Sequence, residues 1–173
     1  MTTLRTKAAV LAGSIGLAGA GLLLAGSPAN AAAPACGNSA VAVSHLHTQG
    51  ATGHGSVVLL FKNVSAHTCS LYGYPGLDAL DAGGHVLAHA KRTMHGFAGG
   101  AHTLGTVSIT PGHYGSATVE WMNFNPTTGG SCTFSKSVAT TPANTSHTVH
   151  FPISASLCGL QVHPTVLGHT GNN

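Results

Sequence analysis

Acidic side chains are almost absent: Asp78, Asp81 and Glu120 are the only carboxylate residues among 173. Glycoside hydrolysis needs two placed carboxylates, and a serine hydrolase needs an acid to orient its histidine. Asp78 and Asp81 flank a turn, and Glu120 is expected to face solvent on its strand, so neither chemistry is well served. No serine after residue 31 sits in a Gly-x-Ser-x-Gly elbow. Basic residues are also scarce. Lys62, Lys91, Arg92 and Lys136 are all that follow residue 31, and the lack of a basic stripe to track phosphates argues against a nucleic-acid partner. The lack of a Cys-x-x-Cys pair argues against a zinc ribbon or a thioredoxin-like site. These absences make the chain an expected non-enzyme without a cofactor, with a hydrolase as the remote alternative.

The first segment reads as a secretory signal. Arg5 and Lys7 give a short positive region, and Ala8 to Ala25 is uncharged and rich in Ala, Gly and Leu. Ser27 and Pro28 break that run, and Ala29-Asn30-Ala31 supplies the small residues required for cleavage. The rival is an uncleaved anchor, since the run is about as long as the shortest spanning helices, roughly 17 residues. Glycines at 13, 16, 19 and 21 lower its helicity and hydrophobicity, which favours cleavage near Ala31 and no membrane span afterwards. No Arg-Arg pair is present, which points to the general secretory route. Ser27 stands where a lipoprotein signal would place Cys. The expected location is therefore secreted and extracellular.

The remaining residues carry four basic against three acidic side chains, a net of +1, together with all 13 histidines. Four cysteines, Cys36, Cys69, Cys132 and Cys158, lie there too. An even count in an exported small domain implies two disulfides, with three possible connectivities.

After a short linker at 32–35, period-two alternation recurs between Gly, Pro and Asn clusters, and no stretch shows helical periodicity. Val41 and Val43 open a first strand. Residues 56–63 are apolar on both faces, as in a strand covered on both sides. Further strands are expected at 69–74, 77–80, 85–91, 104–110, 114–122, 132–140, 148–153 and 157–162, with a Gly-rich loop at 94–102. In 114–122, Ala117, Val119 and Trp121 point inward and Ser116, Thr118 and Glu120 outward. The predicted fold is all-β: an antiparallel two-sheet sandwich, immunoglobulin-like, of about nine strands. It is expected to occupy 36–166, followed by a flexible tail at 167–173. A closed barrel is the alternative.

Several motifs occur in order along this stretch: Cys36, Gly53-His54 before an apolar strand ending in Lys62-Asn63, and Cys69-Ser70-Leu71-Tyr72-Gly73-Tyr74-Pro75-Gly76. A Pro111-Gly112 turn then precedes a strand ending in Trp121, followed by Cys132 and Cys158. This order resembles the secreted bacterial family called domain of unknown function 4232, over nearly all of Cys36 to Pro164. Cys-x-Leu-x-Gly-Tyr-Pro-Gly is its most specific segment. The resemblance implies export and a β-sandwich and brings no established activity.

Pairing of cysteines that are neighbours in the chain, Cys36 with Cys69 and Cys132 with Cys158, is expected to staple each half of the sandwich locally. Two further groups are candidate sites. His45 and His47 are two residues apart, so on a strand they share a face and could ligate one zinc or copper ion. Tyr72 and Tyr74 share a face beside a turn and could form a platform for a sugar or peptide, against the plainer reading that they pack and cap the sandwich. The function expected is a secreted binding or envelope-associated module with an unknown ligand. A cell-wall polyanion bound at mildly acidic pH is the partner favoured by the histidines, and histidine-based metal binding is the alternative function.

Overall fold

A computed structural model describes residues 32–173; the expected signal peptide lies outside the described residues. In chain order the strands are β1 (Val41–His45), β2 (Gln49–Ala51), β3 (His54–Asn63), β4 (Cys69–Tyr72) and β5 (Gly76–Leu80). Next come β6 (Val86–His89), β7 (Lys91–Arg92), β8 (His95–Gly96), β9 (Gly99–Gly100) and β10 (Thr106–Ile109). The last are β11 (Tyr114–Met122), β12 (Ser137–Thr141), β13 (Val149–Phe151), β14 (Gln161–Val162) and β15 (Val166–Leu167). The described residues contain no helix. Fifteen elements replace the nine or so expected because short pairings form in stretches that read as loop, such as β8 and β9 within 94–102.

The largest sheet is built on β3 and β11, the longest strands, which pair antiparallel from Lys62 opposite Tyr114 to His54 opposite Met122. β1 and β2 lie in succession along the other edge of β3. β14 and β15 lie along the other edge of β11, and β7 joins β14 in parallel. A second sheet has the order β13-β12-β5-β6, and β4 pairs with β10. The alternation read in the sequence explains the core. Leu59 and Phe61 of β3, Ala117, Val119 and Trp121 of β11, Leu71 of β4, Leu77 of β5, Ile109 of β10 and Val138 of β12 form one buried apolar cluster. Trp121 lies so close to Gly55 on the paired strand that a Cβ there would overlap the indole.

Turn chemistry closes the ends of the strands. The Asp81 carboxylate accepts the backbone N–H of Gly83 (2.8 Å) and of His85 (2.9 Å). The His85 N–H bond does most to hold this carboxyl below its ordinary range. Asn63, fully buried at the end of β3, is satisfied on both sides. Its amide donates to the carbonyls of Ile109 (2.7 Å) and His67 (2.8 Å), and its oxygen accepts from Ser65 N–H and Oγ–H.

Both disulfides pair as expected, Cys36 with Cys69 and Cys132 with Cys158, with Cα atoms 4.8 and 5.8 Å apart. One expectation is corrected. Ser116, Thr118 and Glu120 do not face solvent but are buried, because other segments cover the outer face of β11. One of those segments is 168–173: Gly168 N–H donates to the Tyr114 carbonyl (2.8 Å) and Gly171 N–H to Ser116 Oγ (2.9 Å).

The disulfides close segments with sequence separations of 33 and 26 residues, a range where a cross-link stabilises by about 3–4 kcal/mol through the unfolded state. Non-reducing digestion should recover Cys36–Cys69 and Cys132–Cys158 peptides only. The C132S/C158S variant should lose about that much in urea unfolding.

Candidate functional site

The outer face of β11 presents a row of polar side chains, and each one recruits a segment to cover it. Thr118 Oγ1 donates to the Gly171 carbonyl (3.1 Å), and next to it Ser116 takes the Gly171 N–H. The same terminal segment reaches the β8–β9 turn, where Asn172 Oδ1 accepts the Gly100 N–H (2.7 Å) and Asn173 Oδ1 the His102 N–H (3.0 Å).

Glu120 holds a second covering segment. Its carboxylate accepts the backbone N–H of Phe97 (3.2 Å) and of Ala98 (2.7 Å), and the side-chain amide of Gln161, its cross-strand partner on β14, in a very short bond. His163, also fully buried, places Nε2 3.5 Å from Glu120 Oε2 and has no other partner there. The opposite ring nitrogen, Nδ1, lies 3.0 Å from the Thr93 carbonyl. A carbonyl can only accept, so the tautomer with hydrogen on Nδ1 suits this contact. Burial pushes the Glu120 carboxyl up, but His163, the Ala98 N–H and Gln161 together outweigh it and hold the group below its ordinary value. His163 and Gln161 thus flank the carboxylate in a cluster closed to water. Gly96 is required beside it, since a Cβ there would overlap the carboxylate.

Between these covers and β2 lies an open groove of about 570 Å³. Ser56, Val58 and Thr118 form its floor, with Leu46, His47 and Gln49 to Ala51 on one side. Phe97, Ala98, His169, Thr170 and Asn172 line the rest. Phe97 is half exposed, with its ring 4.2 Å from that of His54.

The residues singled out in the sequence fall mostly elsewhere. β1 ends at His45, whose Nδ1 lies 2.7 Å from the Leu46 carbonyl and whose ring meets Phe151 edge-on. His47 lies in the connection to β2, beyond the strand. Among the described residues no group of three or more His, Cys, Asp and Glu could hold a metal ion. Tyr72 and Tyr74 do not share one continuous strand: β4 ends at Tyr72, and Gly73 takes φ 87°. Tyr72 is exposed, whereas the Tyr74 hydroxyl donates to Met94 Sδ (3.2 Å). The sequence reading missed Glu120, Gln161 and His163 as a group. Their signal is a polar residue at every second position of two segments rich in buried apolar residues.

Fold and site thus define an all-β domain with two disulfides, a sealed carboxylate beside His163 and a broad groove. A family model matches residues 36–168, and the chain belongs to that family, the domain of unknown function DUF4232. No curated protein and no solved structure matches.

Because the Glu120 carboxyl is depressed in the folded state, its stabilisation is complete above its unfolded value, near 4.5, and is lost as pH falls through the folded one. Glu120→Gln should remove this part of the acid sensitivity. It should also cost at least about 2 kcal/mol, since a neutral amide replaces a charged acceptor and turns a donor toward a donor. Urea unfolding of both proteins from pH 3 to pH 7 checks this: the gap between the two should narrow below pH 4.5.

Proposed function

We propose that this protein is an exported, non-enzymatic binding module, an immunoglobulin-like sandwich that holds an anionic polymer of the cell envelope at mildly acidic pH and releases it near neutrality. The observation that carries this reading is where the imidazoles lie. His47, His67, His85, His89, His95, His102, His113, His147, His150 and His169 are exposed, His45 and His54 are half-buried, and His163 alone is sealed.

Imidazole ordinarily takes up its proton near pH 6.5, and no other side chain of ordinary pKa changes charge between pH 5 and 8. Residues 32–173 carry +1 before any histidine protonates; ten protonated surface imidazoles would raise that to about +11. The positions are spread over several elements, which suits an extended polyanion better than one small ion.

A non-enzymatic role is supported by how the carboxylates are used. Asp78 lies 2.6 Å from His89 Nδ1, Asp81 is tied into its turn and to His85, and Glu120 is sealed. None of the three lines the groove. Export is supported by the cysteines, all oxidised in two pairs, as an oxidising compartment favours. No helix among the described residues is long and apolar enough to cross a membrane.

Retention on purified cell wall or an anionic resin should be strong at pH 5.5 and low salt. It should fall at pH 7.5, and at high salt, because exposed charges are screened over about 8–10 Å at ordinary ionic strength. Equal retention at both pH values would overturn the proposal.

A further inference from the structure

We infer that the groove between β2, the Phe97 loop and the terminal segment is a subsite for one anionic sugar unit. The inference rests on the polyanion reading and deepens it, by saying where one repeat of the polymer is gripped and by what chemistry.

A volume of about 570 Å³ falls within the range of small-molecule sites, about 300–1,000 Å³. The lining divides into two kinds of surface. Leu46, Val58 and Phe97 offer apolar area, and Phe97 keeps 49% of its surface exposed at the rim, where its ring face is open to contact. Gln49, Thr170 and Asn172 offer neutral donors and acceptors. A pyranose has this pairing: an apolar C–H face that lies on an aromatic ring, and an edge of hydroxyls that both give and take hydrogen bonds.

The charge of the ligand follows from what titrates. No Lys, Arg, Asp or Glu lines the groove, and His47 and His169 are its only ionisable residues. The groove is thus neutral when they are neutral and becomes cationic when they protonate, complementary to a sugar bearing a carboxylate or a phosphate. Other ionisable groups near these two are few. The Tyr114 ring lies 4.2 Å from that of His169, and Lys62 Nζ lies 5.5 Å from the Tyr114 ring. His45 is turned to the Leu46 carbonyl and Phe151. Glu120 lies beneath the wall, its oxygens taken by the Phe97 and Ala98 N–H groups and by Gln161. Neither wall depends on His47 or His169 for the hydrogen bonds that hold it, so both can be changed without dismantling the groove.

The test titrates a galacturonate tetramer, its neutral galactose counterpart and inorganic polyphosphate into the protein at pH 5.5 and pH 7.5, followed by calorimetry and by amide shifts. The galacturonate tetramer should bind at least tenfold more tightly at pH 5.5 than at pH 7.5, and more tightly than the neutral tetramer. Shifts should centre on His47, Phe97 and His169. Phe97→Ala should weaken binding at least tenfold at pH 5.5 without changing the melting temperature. H47Q/H169Q should reduce the difference between the two pH values at least fivefold and remove the amide shifts in the groove. A phosphate-bearing unit as the native ligand would show as polyphosphate binding that is likewise lost in both variants. Polyanion binding that is unchanged in both variants would overturn the subsite and leave the surface-charge reading standing. Binding of no polyanion at pH 5.5 would remove both.

Discussion

The rest of this structure hangs on the need to satisfy the polar face of a strand that has been buried on both sides. β11 gives Ala117, Val119 and Trp121 to the core, which leaves Ser116, Thr118 and Glu120 on the opposite face. A hydroxyl or carboxylate cut off from water without a partner costs free energy, and for an unpaired carboxylate the cost is several kcal/mol. Each side chain of the row therefore fixes something above it. Ser116 and Thr118 take the two polar backbone atoms of Gly171, and Glu120 takes two N–H groups of the Phe97 loop. Two segments with no hydrophobic pattern of their own are ordered by the strand they cover.

Glycine makes that cover possible. At Gly96 and Gly171 a side chain would fall on the Glu120 carboxylate and on Thr118 respectively, so only a bare backbone can come close enough to bond the row. The groove is a by-product of the same geometry: the Phe97 loop and the terminal segment each reach β11, and the space between them and β2 stays open. Groove and fold therefore share their supports, and Glu120 acts on the groove by positioning the Phe97 loop.

What could be read in the sequence was whatever depends on near neighbours. Alternation along 114–122 shows which residues share a face, and it placed Trp121 in the core. The Asp81 turn and the Pro111-Gly112 turn announce themselves through residues that favour those conformations. Pairing the cysteines in chain order needs only that each local half closes on itself. Alternation, however, says nothing about what lies over the second face. Ser, Thr and Glu at every other position read as solvent-facing because that is their usual place. Here the cover comes from residues as far as 55 positions away, as between Ser116 and Gly171. The groove was illegible for the same reason, since its walls come from β2, the 94–102 loop and the last residues, three stretches that meet only when folded.

The two kinds of ionisable group divide the pH scale between them. The imidazoles stand mostly outside, in reach of solvent, and under the proposed function their protonation is what charges the surface and the rim of the groove. Glu120, which holds one wall of that groove, is kept below its ordinary carboxyl range by His163, the Ala98 N–H and Gln161 against the opposing pull of burial. The carboxylate that keeps the wall in place therefore stays ionised further into acid than an ordinary carboxyl would. Were Glu120 in an ordinary buried setting, desolvation would raise its titration toward that of the imidazoles. The wall would then loosen as the rim became attractive to an anion. Sealing the carboxylate with His163, Gln161 and backbone donors keeps the wall held under the mildly acidic conditions that the proposed function requires.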